Sequence, residues 1–257
     1  MDQYIPIPAF RKIWVRMYKC LLQNTVREIQ KMHPRSKPYF PLLDDEEDLV
    51  FYVESPEDIE LLFTYMNESM HEAGHCNIIP FMLDVGEHAI LIVLDSVSSN
   101  IYQSNQSNQS NQWQMTVFDP NGFPLKSYLD TDTMQQFYHE WNIFKQNWGM
   151  SQLRLIPSHG FSGMQGYANN YDDKLMWDHG DGLCFLLCFY YLFNVYGLNV
   201  EPNELHRSWA NLSPDNRERS FRRFWVDVYP TEMDGHFTRS QGQIHTFRSG
   251  EMGRFTI

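Results

Sequence analysis

Nothing in this chain offers a membrane span, a disulfide framework or a net positive charge. The most apolar stretch, residues 183–193, ends well short of the roughly eighteen residues needed to cross a bilayer. The four cysteines, at 20, 76, 184 and 188, lack the paired spacing of a zinc ribbon. With no secretory signal ahead of them, reduced thiols and an intracellular setting, cytoplasm or nucleus, are expected. The formal net charge is −12, which argues against a surface that holds nucleic acid by neutralising phosphates. Aromatic residues, by contrast, are plentiful: 18 Phe, 14 Tyr and 7 Trp supply material for one well-buried core.

Periodicity gives the outline. Apolar positions Phe10, Ile13, Trp14, Met17, Leu21, Val26 and Ile29 form the stripe of an amphipathic helix over residues 8–32, expected to pack on the main body. The Pro-rich and then acidic segment 33–48 reads as a solvated linker. Ser55-Pro56-Glu57-Asp58 is a helix start, continued by Ile59, Leu62, Phe63 and Met66. Strands are expected at 78–83, 88–94, 114–118 and 153–157, and a further helix at 130–148. The Ser-Asn-Gln repeats of residues 104–112 read as a polar hairpin tip that cannot bury itself. A last helix is expected to open at Ser213 and run past Trp225, with Arg219, Arg222 and Arg223 as a solvated basic face. The expected organisation is an N-terminal helical extension (1–70), a core (71–200), and a C-terminal helix and polar tail (201–257) packed on the same domain.

Chemistry concentrates in four places. The first is the loop Gly180-Asp181-Gly182 running into the apolar segment that holds Cys184 and Cys188. It reads as a capped helix start with Cys184 in the first turn, where free N–H groups and the helix dipole favour the nucleophilic form of a thiol. Two small core residues on one helix face is the competing reading, and Cys188, a turn further in, is expected to be buried. The second and third are His88, opening a β-branched strand, and Asp119, closing the strand 114–118. If those strands pair antiparallel, His88 and Asp119 meet, giving a carboxylate-oriented general base. The fourth is Gln165, nineteen positions before Cys184, whose amide is suited to donating to an oxyanion beside the Cys184 backbone N–H. A separate pattern, His71-Glu72-Ala73-Gly74-His75, has the spacing of a zinc peptidase helix, although Gly74 marks a helix stop inside it.

The order His, acid, Gln, Cys resembles the adenain and SUMO/ubiquitin-like-protein protease group of cysteine peptidases (clan CE), and most of all its large-DNA-virus members. The resemblance covers about 78–196. It is carried by Ile78-Ile79-Pro80-Phe81 with His88 to Asp95, by Phe118-Asp119-Pro120-Asn121-Gly122, and by Gly180 to Leu192 with its Cys-x-x-x-Cys. It implies an α+β, papain-like fold with a central mixed sheet flanked by helices and the nucleophile at a helix N-terminus. It also implies Cys184 as nucleophile, His88 as base, Asp119 as orienting acid and Gln165 as oxyanion donor, with no cofactor and no metal. The implied substrate is a protein, either a viral polyprotein or a ubiquitin- or SUMO-like conjugate, and packaging in a virion fits the viral relatives. Ala89 stands where many relatives have Trp, Phe185 where many have Gly, and the glutamine lies further from the cysteine. Three other functions remain open: an inactive binding module of the same fold, an acetyltransferase of that fold, and a zinc peptidase using His71 and His75.

Overall fold

A computed structural model describes residues 23–32, 34, 38–39, 50–86, 88–96, 113–150, 152–156, 163–164, 183–213, 216–217 and 219–220. The architecture is α+β, built on a five-stranded mixed sheet. Its strands are β1 (Val50–Tyr52), β2 (Ile78–Asp84), β3 (Ala89–Ser96), β4 (Trp113–Phe118) and β5 (Leu153–Ile156), and they lie side by side in sequence order. β2, β3 and β4 run antiparallel to one another, while β1 and β5 join parallel at the two edges.

Helix α1 spans the described helical residues 23–32, and its fully buried Ile29 packs against Gly197. Helix α2 (Pro56–Glu72) starts as its sequence dictates: the Ser55 hydroxyl accepts from the Asp58 N–H, and the Asp58 carboxylate accepts from the Ser55 N–H. Helix α3 (Thr131–Trp148) is capped by Asp130 and closed by left-handed Gly149. Both helices cover one face of the sheet. There Phe63, inserted edge-on between Phe137 and Phe144, meets Ile79, Ile90, Ile92, Met115 and Val117 in the main core. β1 and α2, which fall within the expected N-terminal extension, are thus built into the same core as the sheet.

The opposite face of the sheet receives helix α4 (Leu183–Leu192), which is prolonged by a wider turn over Phe193–Gly197. Cys184 and every residue from Leu187 to Leu192 are buried, and Tyr191 stacks on Phe118 of β4 with ring centroids 4.1 Å apart. Helix α5 (Pro202–Asn211) follows, capped by Glu201 with Pro202 at its first position. Of the expected elements, residues 8–22, the acidic run 43–48, the repeats 104–112, the loop 180–182 and the tail beyond 220 lie outside the described residues.

No helix among the described residues is long and apolar enough to cross a membrane.

Candidate catalytic site

Antiparallel pairing of β3 with β4 sets the site, because Leu91 lies opposite Phe118 and so brings the residue ahead of β3 beside the residue after β4. Those residues are His88 and Asp119. Both are buried, and His88 Nε2 lies 2.7 Å from Asp119 Oδ1. The turn Asp119-Pro120-Asn121-Gly122 closes with the Gly122 N–H donating to the Asp119 carbonyl, and Gly122 takes a positive φ that suits glycine.

That turn folds its own donors back onto the Asp119 carboxylate. The Asn121 N–H donates to Oδ1 at 2.8 Å, and the Phe123 N–H donates to Oδ2 at 2.6 Å. The Tyr128 hydroxyl completes the set, donating to Oδ2 at 3.0 Å while its ring stacks on His88. With four donors this buried carboxylate has its hydrogen-bonding capacity met, and it fixes the orientation of the imidazole.

Cys184 sits in the first turn of α4 with 6% of its surface exposed. Its sulfur accepts a hydrogen bond from the Ala89 N–H at 3.4 Å, and it lies near enough to His88 to raise that imidazole. Since Nε2 faces Asp119, Nδ1 is the nitrogen left for the sulfur, and the Asn121 carboxamide lies 3.2 Å from that same atom. Burial alone would push the imidazolium down. The hydrogen bonds and negative charges of Asp119 and Cys184 outweigh it, so His88 is raised to about 9.

Ala89 explains its own size. It is fully buried, with Cys184 bonded to its N–H and the Cys188 thiol 3.9 Å from its carbonyl, so both cysteines of α4 bracket one small residue of β3. Cys188 is fully buried, and burial drives its thiol well above the ordinary range.

Of the four residues singled out from sequence, His88, Asp119 and Cys184 come together; Gln165 lies outside the described residues, as does the side chain of Phe185. The two residues before Gln165 are held at the site. The Gly163 N–H donates to the Asn121 carbonyl at 3.1 Å, and the Met164 carbonyl accepts from Trp209 Nε1 of α5 at 2.9 Å. Tyr128 and Asn121 were not given roles by sequence. Asn121 was visible inside the turn pattern, whereas Tyr128 follows the acid by nine positions with no periodicity to mark it.

The zinc-peptidase pattern does not form one helical face. α2 ends at Glu72, Gly74 turns left-handed, and His75 lies in the turn beyond. His71 packs edge-on against Trp148, and Glu72 accepts from the Tyr39 hydroxyl at 2.8 Å. No group of three or more candidate ligand residues occurs among the described residues.

No family model matches the chain, and no curated protein matches it significantly.

Proposed function

We propose that this protein is a cysteine peptidase of papain-like fold, hydrolysing peptide or isopeptide bonds in a protein substrate. One observation carries the reading: His88, hydrogen-bonded to the Asp119 carboxylate, stands next in the chain to Ala89, whose N–H donates to the sulfur of a cysteine in the first turn of a helix. Cys184 sulfur attacks the scissile carbonyl carbon, forming the S–C bond, while His88 holds the thiol proton on Nδ1. The tetrahedral oxyanion collapses, the C–N bond breaks, and the leaving nitrogen takes that proton from His88. Water, deprotonated by His88, then hydrolyses the thioester and restores the thiol. Asp119 keeps the ring oriented and stabilises its charged form throughout. Gln165 with the Cys184 N–H is the proposed oxyanion donor pair, and the tethering of Gly163 and Met164 supports that role.

The test is alkylation by iodoacetamide near pH 6, followed by intact mass and peptide mapping. An ordinary thiol is almost wholly protonated at that pH. Fast labelling confined to Cys184, and lost in His88→Ala, is the expected result. Labelling of Cys184 no faster than of Cys76 in the folded protein refutes the proposal.

A further inference from the structure

Phe123 is a large apolar side chain that the core does not use: 58% of its surface is exposed, although its backbone is fixed by the N–H that donates to Asp119. Its ring packs edge-on against Tyr128 at 6.3 Å, and Tyr128 in turn stacks on His88 at 4.8 Å. Three rings therefore lead from the general base to solvent, and the outermost is held in place by the same carboxylate that orients the base. An isolated exposed phenylalanine needs no explanation, but one anchored at a reacting centre has a defined neighbour whenever substrate binds.

Which part of the substrate that is follows from the proton. His88 must hand its proton to the leaving nitrogen, so the leaving segment of the substrate lies along the His88 side, while the acyl segment stays with Cys184 and the oxyanion donors. The two ring-to-ring steps, 4.8 and 6.3 Å, bound the reach from His88 to Phe123. An extended peptide advances about 3.3 Å per residue, so that reach falls within roughly the first three residues of the leaving segment.

We propose that Phe123 is a specificity-determining residue that binds an apolar side chain close after the scissile bond, on the leaving-group side. The substrate class is thus a polypeptide with an aliphatic or aromatic residue among the first positions after the cleaved bond. This rests on the peptidase reading above. A single apolar contact of this kind is worth about a 10-fold preference in kcat/KM over glycine at the same position. It acts on acylation only, because the leaving segment has departed before the thioester is hydrolysed.

The experiment digests a proteome-derived peptide library with the parent protein, Phe123→Ala and Phe123→Leu, and measures iodoacetamide labelling of Cys184 in the same preparations. Expected is enrichment of apolar residues at one of the first three positions after the cut in the parent, retained in Phe123→Leu and flattened in Phe123→Ala, with Cys184 labelling equal in all three. An unchanged cleavage profile in Phe123→Ala overturns the proposal, as does a matching fall in labelling, which would make Phe123 a support for Asp119 instead. Absence of cleavage by a protein whose Cys184 labels in a His88-dependent way overturns this substrate class and leaves the nucleophile standing. Failure of that labelling in the parent overturns both.

Discussion

Tyr128 lies almost parallel to His88, with 4.8 Å between ring centroids and 16° between planes, while its hydroxyl donates to the Asp119 carboxylate. One side chain therefore fixes both partners of the ion pair. The electron-rich ring face favours the charged imidazole, and the hydroxyl satisfies the acid that holds it.

These two contributions separate by substitution. Tyr128→Phe keeps the stack and removes the hydrogen bond; Tyr128→Ala removes both. Each contact is worth on the order of 1 kcal/mol, so the His88-dependent labelling rate of Cys184 is expected to fall several-fold in Tyr128→Phe and further in Tyr128→Ala. The His88 pKa, followed by NMR of the ring carbon-bound protons, is expected to drop in Tyr128→Ala. Equal rates and pKa values in all three proteins would dismiss the clamp.

His88 also makes stability depend on alkaline pH. Its folded value, about 9, lies above the ordinary 6.5, so folded His88 binds its proton more tightly than the unfolded chain does. The stabilisation is complete below pH 6.5 and is lost as pH rises through about 9, by an amount on the order of 3 kcal/mol from this group. Asp119→Asn, which removes the charge that holds the proton, is expected to flatten urea midpoints between those limits. An unaltered slope would assign the dependence to other groups.

Asp95 acts with the same sign but in a lower pH window, and at the far end of β3. It is buried under Tyr196, whose hydroxyl donates to it at 2.8 Å, and its other oxygen has no hydrogen-bond partner. Burial raises its carboxyl to about 6, against the pull of Tyr196, Gln114 and Arg154. Folding is therefore expected to gain stability as pH falls from above 6 towards 4, the range where the folded carboxyl is protonated and the unfolded one is not. Asp95→Asn should remove that gain in denaturant titrations at pH 4.5 and pH 7; a retained gain would rule Asp95 out.

Sequence pattern carried β2 to β5, α2, α3 and the Cys184 helix: α2 and α3 repeat at the helical period and begin on a cap, whereas β3 and the Cys184 helix stand out as apolar runs. It missed β1, three residues long and too short to show a period. It also passed over α5, although Glu201-Pro202 with Leu205 and Trp209 gave a cap, a first-turn proline and an i,i+4 pair. The His88–Asp119 meeting was foreseen from antiparallel pairing, which sets the start of β3 beside the end of β4. The roles of Tyr128, Ala89 and the Asn121 side chain were illegible for a physical reason: they act through tertiary contact, and no local rule marks a residue that is chosen by what it touches across the fold.

Ala89 shows how narrow that choice is. The residue is fully buried between β3 and α4, with its N–H on Cys184 and its carbonyl against Cys188. An indole in that space would push α4 from the sheet and carry Cys184 away from His88. Ala89→Trp is therefore expected to destabilise by more than about 3 kcal/mol, the upper part of the range for overpacked cores, and to abolish selective labelling of Cys184. Ala89→Gly leaves the space open, so it should cost only about 1 kcal/mol of stability and keep His88-dependent labelling. The pair separates packing from chemistry: a stable, reactive Ala89→Trp protein would mean that α4 does not depend on a small residue here, and the account of Ala89 as the spacer that sets Cys184 beside His88 would fail.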